Sequence, residues 1–226
     1  MWMNMKLLAI DTSASACSVA LLSDDKMMAK HALIPLQQAQ QILGMIDELL
    51  NDNNTDVNEL SALAFGCGPG SFTGVRIAAS VIQGLAYATQ LPIISVSSLA
   101  AAAQDAYENL HWPKILVAMD ARMQEVYYGA YQVNAQGLME LQGQEVVCAP
   151  DKIPLPEGND WYAVGNGWQV YQSSLTYQPL ALESEYMPTA FGVCLLAKAK
   201  FLAQDWQPAE EAIPVYLRDD VAQKSR

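Results

Sequence analysis

The apolar positions change period along the chain, and the changes divide it into strands and helices. Leu7-Leu8-Ala9-Ile10 is a continuous apolar run, the pattern of a strand buried on both faces, and it ends in turn chemistry at Asp11-Thr12-Ser13-Ala14-Ser15. Cys17 to Leu22 resumes as a second strand, and Asp24-Asp25 turns it into a third, Met27 to Leu33. From Gln37 to Asn51 the spacing lengthens. Leu36, Ala39, Leu43, Ile46 and Leu50 recur at three and four residues, the stripe of an amphipathic helix, which Asn51-Asp52-Asn53-Asn54 ends. Leu60 to Phe65 is another buried strand. Gly66-Cys67-Gly68-Pro69-Gly70-Ser71-Phe72-Thr73-Gly74 then turns it into a helix from about Phe72 to Thr89. Pro92 to Val96 is a strand, and Ser97 or Ser98 stands where it would cap an alanine-rich helix.

After His111-Trp112-Pro113 the pattern starts again. Ile115 to Met119 is an apolar strand ending in Asp120; Glu125 to Val133 and Leu138 to Val147 are the next two. Pro150 to Asp160 is proline-rich loop, Trp161 to Val164 is a strand entering Gly165-Asn166-Gly167, and a helix fits Thr189 to Gln204. The order strand, Asp, turn, strand, turn, strand, and later strand, Gly-x-Gly, thus occurs twice. Asp11 and Asp120 hold equivalent places, as do Gly66 and Gly165. A degenerate duplication of one α/β unit follows, with lobes spanning 1–110 and 111–226.

Composition fits this reading. Of the 226 residues 52% are apolar and 16% charged, enough to build sizeable cores. The net charge of −12 repels phosphate backbones, so any work on RNA requires a partner to make most of the contact. Cys17, Cys67, Cys148 and Cys194 form no Cys-x-x-Cys pair and read as free thiols of a reducing cytoplasm. Lys6 to Asp11 breaks after four apolar residues, so no signal peptide is expected, and Met1-Trp2-Met3-Asn4 is expected to be a short, loosely held extension. No apolar run approaches the roughly 20 residues of a membrane span.

The candidate chemistry centres on the glycine turn and the two strand-end aspartates. Gly68 and Gly70 permit unusual backbone angles, and Ser71 or Thr73 is placed to cap the helix that follows. Free N–H groups there would cradle a phosphate, yet no Gly-Lys-Ser/Thr follows, so the turn is not a P-loop. The alternative is a tight turn that lets a helix pack closely on a sheet. Asp11 and Asp120 read either as turn-starting residues or as carboxylates facing Mg²⁺–phosphate across a cleft; Asp11, Thr12, Gly68, Gly70, Ser71 and Asp120 are the nucleotide candidates. With only His31 and His111 available, metal and triad chemistry have little to build on, and no metal or other cofactor is expected. The helix Val75 to Ala86 is apolar on nearly all faces. One face covers its own sheet, and the other meets either the preceding helix or another subunit. Arg76, its lone charge, is expected to point to a helix end or a carboxylate.

Leu8 to Thr12, Cys17 to Leu21, the run Gly68-Pro69-Gly70-Ser71-Phe72-Thr73-Gly74-Val75-Arg76, Asp120-Ala121-Arg122, Val126-Tyr127 and Pro214-Val215-Tyr216-Leu217-Arg218 together resemble the TsaB (YeaZ) family over nearly the whole chain. The resemblance implies an actin-like ATPase (ASKHA, ribonuclease H-like) α/β fold of two similar lobes. It also implies a non-catalytic subunit that supports a TsaD-like catalytic paralogue, together with a TsaE-like ATPase. That assembly transfers threonylcarbamoyl to adenosine 37, beside the anticodon, of tRNAs reading codons that start with A. A homodimer in isolation and contact with tRNA only through the complex are implied as well. In TsaD-like chains a His-x-x-x-His metal helix follows the corresponding strand; the matching positions here are Ser98 and Ala102. The partner surface is then expected on the first-lobe helices, at Gln38, Ile42, Met45, Ile46 and Leu49, and at Phe72, Val75, Ile77, Ala78, Val81, Ile82 and Leu85. Related chains often carry His and Arg at the positions of Gln38 and Cys67. An active actin-like ATPase or kinase and a peptidase are the rival readings.

Overall fold

The computed structural model describes residues 5–34 and 36–218; Met1-Trp2-Met3-Asn4 lies outside the described residues. The first sheet contains β1 (Lys6–Asp11), β2 (Ala16–Ser23), β3 (Lys26–Leu33), β4 (Ala62–Gly68) and β5 (Ile93–Ser97), in the order β3-β2-β1-β4-β5. β1 runs antiparallel to β2 and parallel to β4, which is parallel to β5. Helices α1 (Gln38–Asp52) and α2 (Phe72–Thr89) follow β3 and β4, and α3 (Ser98–Leu110) follows β5.

The second sheet contains β6 (Lys114–Asp120), β7 (Val126–Val133), β8 (Met139–Leu141), β9 (Val146–Cys148), β10 (Tyr162–Val164) and β11 (Leu182–Glu183). Its order is β11-β10-β6-β7-β8, with β9 also on β7. β6 is antiparallel to β7 and parallel to β10, which is parallel to β11. The topology repeats that of the first sheet, with β9 added. The helix after β10, α4 (Gly167–Val170), is a single turn where the first lobe has all of α2, and α5 (Ala190–Leu202) occupies the place of α3.

The alternation of side chains along a strand explains the continuous apolar runs. Leu8 and Ile10 of β1 face α1 and α2, with Val19, Leu21, Leu63 and Phe65 beside them. Leu7 and Ala9 face the other way with Ala20, Ala62, Ala64 and Ile94, and there they meet Val193, Cys194 and Ala197 of α5. Small side chains on this second face let α5 lie close. α3 crosses in the opposite sense, packing Leu99, Ala102 and Ala106 on Ile115, Val117 and Tyr131 of the second lobe. The division at residue 110 therefore describes the sheets and not the helices, which the two lobes exchange.

Caps fix the helix ends. Ser71 accepts from the Gly74 N–H at the start of α2, and Ser97 accepts from Leu99 and Ala100 N–H at the start of α3. Gln90 and His111 end those helices in the left-handed conformation.

The structure corrects three readings of the sequence. β4 continues through Gly68, so the turn proper is shorter than the Gly66–Gly74 run. The single strand expected from Leu138 to Val147 is broken between β8 and β9, around the left-handed Gly143. On α1 the buried positions are Gln38, Ile42, Ile46, Leu49 and Leu50, whereas Leu36 just before the helix, and Ala39 and Leu43 on it, are exposed. Among the described residues no helix is long and apolar enough to cross a membrane.

Candidate functional site

The glycine turn and Asp120 line one cleft between the lobes, and Asp11 is buried beneath the Ser13 turn that also lines it. The cleft's volume is about 530 Å³, and Gly70, Ser71, Phe72, Asp120, Arg122 and Arg218 are among its lining residues. β1 and β6 end at equivalent points on either side of it, so the duplication brings Asp11 and Asp120 to the same region.

Asp11 is turned inward. It is 1% exposed. Oδ1 accepts from the Ser13 N–H at 2.9 Å and from the Ser13 hydroxyl at 2.8 Å, and Oδ2 accepts from Ser98 Oγ at 3.5 Å. Burial pushes its carboxyl up to about 6, partly offset by the bonds from Ser13 and Ser98. Gly66 backs it so tightly that a Cβ there would lie 1.8 Å from Asp11 Oδ2.

Thr12 Oγ1 donates to the Gly74 carbonyl at 2.7 Å, and the Ser13 carbonyl accepts from the Ser71 N–H at 2.7 Å. A Cβ on Gly70 would lie 2.6 Å from that same carbonyl, and one on Gly74 would lie 1.9 Å from the Thr12 carbonyl. The β1–β2 turn is thus seated on the glycine turn, and its Ser13 carbonyl takes the Ser71 N–H, one of the donors that a phosphate cradle at the start of α2 would use. Gly68, with φ 104, is held by Ser98 Oγ, which accepts its N–H at 3.2 Å.

Asp120 is engaged by its own lobe. Oδ1 accepts from the Arg122 N–H and from Tyr171 Oη, both at 2.8 Å, and Oδ2 pairs with Arg122 Nη1 at 3.1 Å. Ser98 is buried beside Asp11, and Ala102 is buried in the second lobe's core. His31 sits on the outer strand β3 and His111 at the end of α3, and no group of three metal-ligating side chains occurs among the described residues. Cys67 is buried, which pushes its thiol up to about 12, and its carbonyl accepts from the Val215 N–H at 2.8 Å.

The expected partner surface divides in two. Ile42, Ile46, Leu49, Ala78 and Ile82 face the lobe's own core and are withdrawn from that surface, because they cover the sheet, while Gln38 and Val75 are buried at the edge of the cleft, Gln38 donating to the Ala14 carbonyl at 3.3 Å. Met45, Ile77, Val81 and Leu85 are half-buried, and Phe72 is 51% exposed. Leu43, Gly84 and Tyr87 of the same two helices are exposed. Among the described residues Arg76 pairs with no carboxylate; its guanidinium lies 3.2 Å from the Phe72 ring centroid and 5.3 Å from that of Tyr216.

Reasoning from sequence missed the residues that join the lobes. Glu145 accepts hydrogen bonds from the Ser97 hydroxyl, at the head of α3, and from Tyr131 of β7. Arg218 reaches the Ala121 carbonyl at 3.1 Å and pairs with Glu125. The second of these lay in the Pro214–Arg218 run, which carried a resemblance but no physical signal of its own.

Fold and cleft define a two-lobed α/β protein of the actin-like class. A family model described as "TsaD: tRNA N6-adenosine threonylcarbamoyltransferase" matches residues 36–225. Two curated relatives, each named tRNA threonylcarbamoyladenosine biosynthesis protein TsaB, come from Escherichia coli K12 and Haemophilus influenzae. The first is 38% identical, covering 97% of both chains. The second is 38% identical over 98% of this chain and 97% of its own. The solved structure of YeaZ from Pseudomonas aeruginosa is 42% identical, covers 94% of this chain and 100% of its own, and superposes with a TM-score of 0.92. The chain belongs to the TsaB (YeaZ) family.

Proposed function

We propose that this chain is an accessory subunit in tRNA threonylcarbamoyladenosine biosynthesis, and that it acts by holding and activating a TsaD-like catalytic paralogue. A TsaE-like ATPase completes the assembly, whose target is the adenosine beside the anticodon of tRNAs reading codons that start with A. The names of the relatives support the pathway. The observation that carries the mode of action is the outer face of α1 and α2. Gly44 and Gly84 stand in the interiors of these helices with nothing within 4 Å of where a Cβ would be. Glycine weakens a helix there by roughly 0.5–1 kcal/mol relative to alanine, and no contact inside the chain requires it. On the same helices Leu43, Phe72 and Tyr87 are exposed by 58%, 51% and 61%. An apolar face with gaps at backbone level suits the close approach of another subunit's helices. In isolation the same face serves a homodimer.

Three further features support an accessory rather than a catalytic part. Asp11 and Asp120 are already bonded within their own lobes, Ser13 sits on the glycine turn, and Ser98 and Ala102 stand at the metal-helix positions. The net charge of −12 suits a subunit that meets tRNA only through its partners, in the cytoplasm. Ile77→Glu and Val81→Glu test the interface. Both variants are expected to fold and to lose co-purification with the TsaD-like paralogue. Folded variants that still co-purify would refute it.

A further inference from the structure

The segment after α5 crosses from one lobe to the other, and its two halves are held very differently. Gln207 exchanges two backbone hydrogen bonds with Ile93, at 2.9 and 2.8 Å, and its side chain donates to Ser95 Oγ at 2.8 Å. Gln83 donates to the Ala209 carbonyl at 3.1 Å, Ala209 and Ala212 are buried in the first lobe's core, and the Val215 N–H reaches the Cys67 carbonyl. Up to Val215, then, the segment is part of the first lobe. Among the described residues, Tyr216 to Arg218 make the step across. Tyr216 lies beside Phe72, ring centroids 6.0 Å apart, and the Arg76 guanidinium lies over both rings.

What Arg218 grasps on the far side is an unusual piece of backbone. Arg122, Met123 and Gln124 have φ of 61°, 54° and 62°, three successive residues in the left-handed region. L-residues with a side chain crowd the following carbonyl there and visit it singly, not in runs. The loop closes with Ala121 N–H to the Glu125 carbonyl and Glu125 N–H to the Arg122 carbonyl, both at 3.0 Å. Arg218 adds the Ala121 carbonyl, the Glu125 carboxylate and Met123 Sδ, so one side chain touches both ends and the middle of the loop.

We propose that Tyr216–Arg218 is a latch: Arg218 holds the left-handed loop Ala121–Glu125 in shape, and Tyr216, seated on Phe72 and Arg76, ties that hold to the first turn of α2. Ala121 and Arg122 of the loop and all three latch residues line the interlobe cleft, so the cleft keeps its form only while the latch is closed. A subunit seated on the start of α2 meets Tyr216 directly and so reaches the loop in the other lobe; this consequence rests on the interface proposed above.

Hydrogen–deuterium exchange of the full chain, read by mass spectrometry, tests the latch without any partner. Arg218→Ala is expected to speed exchange in peptides covering 121–125 about tenfold, as loss of a charge-assisted contact implies, with peptides from β1 and β4 unchanged. Glu125→Gln, which weakens the same hold from the other side, is expected to act in the same direction and serves if Arg218→Ala fails to fold. Unchanged loop exchange in a folded variant overturns the latch. With the TsaD-like paralogue bound, loop exchange is expected to slow in the native chain and not in Tyr216→Ala. Confirmed binding without slowing overturns the coupling alone, while absence of binding strikes at the interface and leaves the latch to the first measurement.

Discussion

Replacing Gly66 by alanine asks whether Asp11 is a fixed part of the structure or a free carboxylate. Gly66 has no positive φ, so the change carries no backbone penalty; its effect is steric. The new methyl would lie 1.8 Å from Asp11 Oδ2, 2.9 Å from its Cγ and 3.2 Å from Ser98 Oγ. The carboxyl must move, and it is fixed by the Ser13 N–H, the Ser13 hydroxyl and Ser98. Hydrogen bonds to a charged group contribute about 1.5–3 kcal/mol each. Losing the pair from Ser13 therefore costs about 3–6 kcal/mol, a large part of a typical stability of roughly 5–15 kcal/mol. For a chain of this length that lowers the melting temperature by about 6–24 °C. Thermal melts with a parallel urea titration measure it. A Gly66→Ala chain melting within about 2 °C of the native one would mean that the Asp11 carboxyl moves freely, and the rival ATPase reading would regain its ground.

Gly84→Ala is expected to do the opposite, raising stability by about 0.5–1 kcal/mol in a thermal melt, because it removes a helix-interior glycine where nothing lies within 4 Å. Gly84→Leu, which fills that space, is expected to weaken binding of the TsaD-like paralogue about tenfold or more in a calorimetric titration. Ile77→Glu and Val81→Glu each remove an apolar contact of about 1–3 kcal/mol, so affinity falls roughly 5- to 150-fold while the far-ultraviolet circular dichroism stays native. Asp105 sets a pH dependence. Burial raises its carboxyl to about 8, against the bonds it accepts from Thr189. Unfolded, it ionises near 3.8. The folded chain therefore holds the extra proton between those values, and stability declines as pH rises through that window by up to about 1.4 kcal/mol per pH unit. Asp105→Asn is expected to flatten the decline between pH 6 and 8, where Asp11, at about 6, contributes little further; equal slopes in the two chains would refute the assignment.

Much of this architecture was legible because strands buried on both faces must be apolar throughout. The runs at Leu7–Ile10, Leu60–Phe65 and Ile115–Met119 mark the central strands, and the recurrence of Asp and Gly-x-Gly after them marks the duplication. The end of α2 at Thr89 was legible from its apolar run and its start from the capping candidates Ser71 and Thr73, of which Ser71 is the cap. Other features had no local signal. Leu36-Ala39-Leu43, running from just before α1 into it, and Ile42-Ile46-Leu49 within it both fit a spacing of three and four. Only the position of the sheet decides that the second set is buried. The exchange of α3 and α5 between lobes is likewise a property of the assembled chain. So is the inward turn of Glu145, which interrupts the strand between β8 and β9 to reach Ser97 and Tyr131. At the cleft, periodicity could not reveal that Asp11 and Asp120 are engaged by Ser13, Tyr171 and Arg122, or that Arg218 arrives from the far end of the chain.

The most direct test of the accessory role is nucleoside mass spectrometry of tRNA from cells depleted of this chain and then supplied with variants. Threonylcarbamoyladenosine is expected to fall on depletion. It should be restored by the native chain and by Asp120→Asn, which keeps an acceptor for Tyr171 and the Arg122 N–H, and not by Ile77→Glu or Val81→Glu. Unchanged threonylcarbamoyladenosine on depletion would contradict the pathway. A folded Asp120→Asn chain that binds the TsaD-like paralogue yet fails to restore the modification would contradict the claim that the carboxylate does no chemistry.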